Sequence, residues 1–193
     1  MPEHRVLPMS DAAEGRYRSE RNAGVPLYCS AFGPFIAANS AGTPLGLGRA
    51  ALEAFLERLP GRPIAFTSYT ERREAPITHL QVGEAAIRLE SAAYHARRGA
   101  EFVDANAVAG VPMTLEERAR VRMDLAWVTE LARSATQLLQ EGSGATSIHE
   151  DVPIQRIWRD ISALSLHAIL HPKTNLELYG RVLCGLEPNA WLV

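Results

Sequence analysis

The chain has 193 residues, enough for one domain with a sizeable core or one domain with an appendage. Its 20 Lys and Arg against 22 Asp and Glu leave a net charge of −2, which argues against nucleic acid or an anionic membrane surface as partner. No apolar run reaches the roughly 18 residues of a membrane helix, and the start shows no leader pattern, so the expectation is a soluble cytoplasmic protein with no membrane contact. Cys29 and Cys184, far apart in apolar surroundings, read as buried free thiols in a reducing compartment.

Residues 1–26 are rich in Pro, Gly, Arg, Glu and Ser and show no helical period; HRVL at 4–7 suits the end of a strand, and 10–25 reads as a linker. The bundle is expected from 27 to 193. YCSAFGPFIAANSAG reads as helix, interrupted at Gly33-Pro34 and again at Gly42 to Pro44, where Thr43 is a candidate N-cap for a fresh helix. Leu45, Gly48, Leu52, Phe55 and Leu59 repeat at spacings of 3 and 4 until Pro60-Gly61. A long polar connection fills 60–75. A helix is expected from 76 to 98, with Val82, Ala86, Leu89, Ala93 and Ala96 on one stripe, then at most a helical turn within 99–113.

Thr114 and Glu117 have the spacing of a capping box, so they mark the start of the next helix. Val121, Leu125, Val128, Ala132, Ala135 and Leu139 then follow 4-3-4-3-4 spacing, the seam of a bundle, and Gly142 and Gly144 end it. A further helix is expected over 152–171, halted by Pro172, and a last one over 173–186 with Leu176, Leu183 and Leu186 apolar. No strand pair suggests itself after residue 26. The predicted fold is all-α: an antiparallel up-and-down bundle of four to five helices behind an extended N-terminal segment.

Polar chemistry concentrates around the 152–171 helix. At about 100° per residue, Arg156, Asp160, Ala163 and His167 fall within about 60° of one another, beside an apolar face of Ile154, Ile157, Ile161, Leu164 and Ala168. Arg156 and Asp160, four apart, are placed to form a structural ion pair. His167 can act as acid, base or hydrogen-bond donor near neutrality, although spacing alone favours a partly buried histidine tied to a helix neighbour. Gly142 to Ser147 form a small-residue loop whose backbone is able to approach a phosphate, but an ordinary helix-to-helix turn is the better reading of it, and the Gly-Lys-Ser/Thr ending of a P-loop is missing. His149, Glu150 and Asp151 lack a second ligand cluster, so no metal site is expected.

Three segments in order resemble the C-terminal domain of the acyl-CoA dehydrogenase superfamily, closest to its flavin-dependent monooxygenase branch of hydroxyphenylacetate, phenolic-steroid and dibenzothiophene oxygenases. They are GRAALEAFLERLPGRPIAF at 48–66, PIQRIWRDISALSLH at 153–167 and LELYGRVLCGLEP at 176–188, while PEHRVL at 2–7 is similar to the tail of the preceding β-domain. The resemblance implies reduced flavin, FMN or FAD, held between this bundle and a preceding half, with Arg62 and Phe66 approaching its phosphate or ring. It places Gly144 and Ala145 at the family's Gly-Gly turn, with Ala145 departing from glycine and His79 standing where many relatives have glutamine. The dehydrogenases carry a catalytic glutamate near position 167 and the monooxygenases a histidine, which makes His167 the candidate catalytic residue.

The resemblance further implies a homo-oligomer, dimer or tetramer, a separate flavin reductase, and a missing N-terminal half. The expectation is therefore a fragment that does not hydroxylate alone. A non-catalytic oligomerisation or docking module derived from the same fold is the alternative.

Overall fold

The computed structural model describes residues 2, 5–13, 15–17 and 20–193, and among them finds helices and short 3-10 turns but no strand. The helices are α1 (Met9–Ala13), α2 (Phe32–Ser40), α3 (Gly42–Glu57), α4 (Pro76–Ala109), α5 (Leu115–Ser143), α6 (Pro153–Leu164) and α7 (Pro172–Leu183). The predicted all-α bundle is present. None of these helices is long and apolar enough to cross a membrane.

α5 is the axis, and α2, α3, α4, α6 and α7 all pack against it. Its start carries the expected capping box: Glu117 N–H donates to Thr114 Oγ1 at 3.2 Å and Thr114 N–H to Glu117 Oε2 at 2.7 Å. Val121, Leu125, Val128, Ala132, Ala135 and Leu139 are all 2% exposed or less, so the heptad-like seam is the core. Two apolar clusters stack along it. One joins Phe55, Leu89, Leu139, Ile154 and Ile161; the other joins Ala37, Val103, Leu125 and Leu170. Each fully buried large side chain contributes about 1.5–3 kcal/mol.

Several boundaries differ from the sequence reading. Only Ala41 separates α2 from α3, and Thr43 lies inside α3, so Pro34 and Pro44 occupy early helical positions where a missing N–H costs little. α4 does not stop near 98 but runs on to Ala109. Gly99 is buried against α5, with Asp124 Cβ 3.9 Å from where a Cβ would lie, and packing there offsets the ~1 kcal/mol propensity cost of glycine. Gly110, at φ 63°, supplies the left-handed residue that ends it.

The largest correction concerns α6, which ends at Leu164 rather than 171. Ser162 Oγ donates to Trp158 O at 2.6 Å and Ser165 Oγ to Ser162 O at 2.7 Å, back-bonds that compete with helix continuation. A series of turns follows, and Ala168 is exposed rather than part of the apolar face. On α7 the buried face is Pro172, Asn175 and Leu178, whereas Leu176, Leu183 and Leu186 are exposed. Cys29 and Cys184 are exposed as well, contrary to their apolar setting in sequence. In the N-terminal segment, α1 interrupts the expected extended run and buries Ala12. His4 of the expected strand lies outside the described residues; Val6 and Leu7 are exposed and belong to no element.

The C-terminal residues fold back over α2. Leu192 O lies 2.7 Å from where a Cβ on Gly33 would sit, and that atom is backbone. Gly33→Ala is expected to cost about 1–3 kcal/mol by overpacking, more than the ~1 kcal/mol it gains in helix propensity. A urea midpoint unchanged or raised by Gly33→Ala would show that the tail yields freely.

Candidate functional site

Three arginines converge where α3 ends. Arg58 closes α3, Arg62 follows four positions later across Leu59-Pro60-Gly61, and the 60–75 connection turns back so that Arg72 N–H donates to Arg62 O at 2.6 Å. With Phe55, Leu59 and Ser143 they line one small crevice, and no carboxylate lines it. Arg72 Nη1 donates to Gly142 O at 2.7 Å. Burial first, then the positive charges of Arg62 and Arg58, push the Arg72 pKa down. The nearby carboxylate, Glu71, is engaged elsewhere: it accepts from Gly61 N–H at 3.1 Å and lies 3.5 Å from Arg73. A corner of like charges on a chain of net charge −2 relaxes when an anion enters, and guanidinium groups match phosphate oxygens in geometry.

Of the expected cofactor residues, Arg62 belongs to this corner and Gly144 abuts it, while Ala145 follows Gly144 in the chain and Phe66 lies on the 60–75 loop. Gly144 sits at φ 77° and ends α5, and a Cβ there would lie 3.4 Å from Arg72 Nη2, so a bare backbone lies against the arginine. Ala145 is exposed at the start of the turn Ala145–Ile148. Phe66 is fully exposed at the tip of a loop closed by Ile64 N–H to Tyr69 O at 3.0 Å and Thr67 N–H to Ile64 O at 3.2 Å. Its φ of 59° is an outlier for a bulky side chain, a conformation that costs on the order of 1–3 kcal/mol. His79 Nε2 bonds Arg73 O at 2.7 Å and so braces the loop's return.

His167 lies beyond the other end of α6, about 18 Å along that helix from Pro153. Its side chain is exposed, and Ile169 N–H donates to its Nδ1 at 3.3 Å. With Nδ1 accepting, the neutral ring carries its proton on Nε2, a tautomer inferred from this bond. The ring thus offers an N–H donor outward. Its backbone is fixed on both sides, since His167 N–H donates to Leu164 O at 3.0 Å and its carbonyl accepts from Leu170 and His171 N–H, each at 2.9 Å.

The expected Arg156–Asp160–His167 stripe is not assembled. Arg156 and Asp160 are both exposed, and no ion pair within 4.0 Å joins them among the described residues. His167 is off the helix altogether because α6 ends early. A different triad is formed instead, between α4 and α5. Asp124, 3% exposed, accepts from Arg98 Nε at 3.1 Å and pairs with His95 Nδ1 at 2.8 Å, and Arg98 Nη2 also bonds it closely. The hydrogen bond to Asp124 raises the Arg98 pKa against the opposing effect of burial. His95 and Arg98 are three apart on α4, but the carboxylate that gathers them comes from α5, so no spacing within one helix marks the triad. Arg58 and Arg72 were equally hidden, since the loop's reversal brings them to Arg62.

Arg122, at 5% exposure, is a buried cation with no carboxylate partner among the described residues. Burial pushes its pKa down. Its Nε donates to Asn175 Oδ1 at 3.0 Å, and its Nη1 to Trp191 O at 2.9 Å and Leu192 O at 3.2 Å.

Residues 38–172 match the family model for the acyl-CoA dehydrogenase C-terminal domain. The oxygenase subunit HsaA of a flavin-dependent monooxygenase from Mycobacterium tuberculosis is 27% identical over all of this chain, which covers 49% of that protein. Dibenzothiophene monooxygenase from Mycolicibacterium goodii is 31% identical over 72% of this chain and 35% of its own length. Among solved structures, XiaF from Streptomyces sp. in complex with FADH2 and glycerol superposes with a TM-score of 0.86 at 30% identity, over 98% of this chain and 48% of that one. The chain thus spans about half the length of the relatives it matches. It belongs to the acyl-CoA dehydrogenase C-terminal domain family, and its relatives there are flavin-dependent monooxygenases.

Proposed function

We propose that this chain supplies the helical-bundle half of a reduced-flavin-dependent monooxygenase that hydroxylates an aromatic or polycyclic substrate with O2. The observation that carries the proposal is the Arg58–Arg62–Arg72 corner against the bare backbone of Gly142 to Gly144. Its donor set fits the phosphate of FMN or the pyrophosphate of FAD, and Phe66 on its strained loop is free to stack on a ring. Reduced flavin, when bound, supplies the oxygen chemistry. The chain's own part is to hold the phosphate end at the arginine corner and to present a proton at His167 Nε2 to a phenolic oxygen at the other end of α6. A relative described as the oxygenase component of an FADH(2)-dependent resorcinol hydroxylase supports a separate flavin reductase as partner.

The test measures flavin affinity by fluorescence quenching in protein that carries this bundle with the remaining half of the fold. Arg72→Gln is expected to weaken binding about 10–100-fold, the loss of one charge-assisted hydrogen-bonding group. Unchanged affinity would remove the corner from the cofactor site.

A second reading, a non-catalytic assembly module, draws on Ile77, Leu80, Ile87 and Tyr94, which recur along α4 and are all exposed. The same surface also suits the dimer or tetramer of the first reading. Flavin binding separates the two, because an assembly module has no need of it.

A further inference from the structure

We infer that Asn175, held by the buried Arg122, is the positioning residue that fixes the His167 ring. This rests on the reading of His167 as the group that meets substrate, and it adds residues from two other helices to that site.

The turn carrying His167 has no regular ladder to hold it, because α6 stops at Leu164 and α7 begins at Pro172. Asn175, on the first turn of α7, is 0% exposed. Its Nδ2 donates to two carbonyls of that turn, Ile169 O at 2.8 Å and His171 O at 2.9 Å. Ile169 is the residue whose own N–H meets His167 Nδ1. The peptide plane that sets the histidine's tautomer is therefore flanked by one that is locked from below. Asn175 Oδ1 accepts from Arg122 Nε, which fixes the amide's orientation and leaves no freedom to flip. Thr174 adds a brace, its Oγ1 donating to His171 O at 3.1 Å.

The chain of bonds runs from α5 through α7 into the turn and ends on an imidazole nitrogen. A buried guanidinium facing three neutral oxygens is an expensive arrangement, since no opposite charge offsets its desolvation. Two of those oxygens belong to the tail at Trp191 and Leu192, and Leu192 also lines a small gap with Gly33, Ile36 and Ile169. The same cation thus pins both the turn and the strap of chain lying beside it.

The test uses long-range proton–nitrogen NMR of the histidine ring together with amide exchange in this chain. Asn175→Leu removes both donors to the turn. His167 is expected to move from the Nε2–H tautomer to a mixture, and the Ile169 amide to exchange at least tenfold faster, while amides around Leu139 and Ile154 keep their rates. Asn175→Asp retains the acceptor for Arg122 but loses the donors, so it is expected to reproduce the change at His167 with the tail still anchored; it also serves if the leucine variant fails to fold. Wild-type ring nitrogen shifts and wild-type Ile169 exchange in the aspartate variant would overturn the assignment. Hydroxylation by the protein with both halves distinguishes the two claims. A shifted tautomer with reduced kcat and unchanged KM supports both, whereas a shifted tautomer with unchanged kcat upholds the positioning and removes His167 from the chemistry.

Discussion

Replacing His167 with Asn in protein that carries both halves of the fold is expected to lower kcat for hydroxylation by about 10²–10⁴-fold, the usual worth of a positioned proton donor or acceptor. The geometry narrows which role is lost. Nδ1 is occupied by the Ile169 amide, so the outward nitrogen is a donor in the neutral ring. An asparagine amide reaches roughly as far as Nδ1 and leaves the Nε2 position empty. Glutamine reaches farther, and His167→Gln is expected to retain a larger share of the rate than His167→Asn. If the histidine acted as a base instead, both variants would fail alike, because an amide does not take up a proton near neutrality. Unchanged rate and an unchanged pH profile in the asparagine variant would exclude any role in the reaction.

The second large effect is on stability. Arg98→Ala is expected to cost about 3–5 kcal/mol, because it leaves the Asp124 carboxylate buried with only His95 beside it. Denaturation of the chain by urea measures this directly. Combining Arg98→Met with Asp124→Leu is expected to regain most of the loss, since apolar groups of similar volume avoid the desolvation of both charges. A single Arg98→Ala variant within about 1 kcal/mol of wild type would mean that Asp124 is neutralised by other means.

What the sequence made legible follows from how local each signal is. The α5 seam and its capping box need only spacing along one helix, and Thr114, Glu117 and the six seam residues are where the pattern places them. α6 was overextended because Ala168 continues the apolar period of Ile154, Ile157, Ile161 and Leu164, while the terminating bonds of Ser162 and Ser165 involve side chains common in helices and loops alike. That one misplaced boundary created the Arg156–Asp160–His167 stripe on paper. The buried partnerships that join helices lie far apart in sequence, 26 positions for Arg98 with Asp124 and 53 for Arg122 with Asn175, and spacing rules do not reach across helices. Arg62 was legible only through a family likeness, and Arg58 and Arg72 joined it only after the 60–75 connection folded.

Arg122 and Asp124 stand two positions apart on α5, which points them about 200° away from each other around the helix. One is a cation gripped by α7 and the tail, the other an anion gripped by α4. An apolar seam alone tolerates small slips, because one aliphatic residue substitutes for another at little cost. These two charges do not: turning α5 by a single residue, about 100°, would strand both of them at once. They act as a pair of keys cut for opposite walls, so that the helix around which everything else is packed has one seating in the bundle, and the turn bearing His167 inherits that fixed reference.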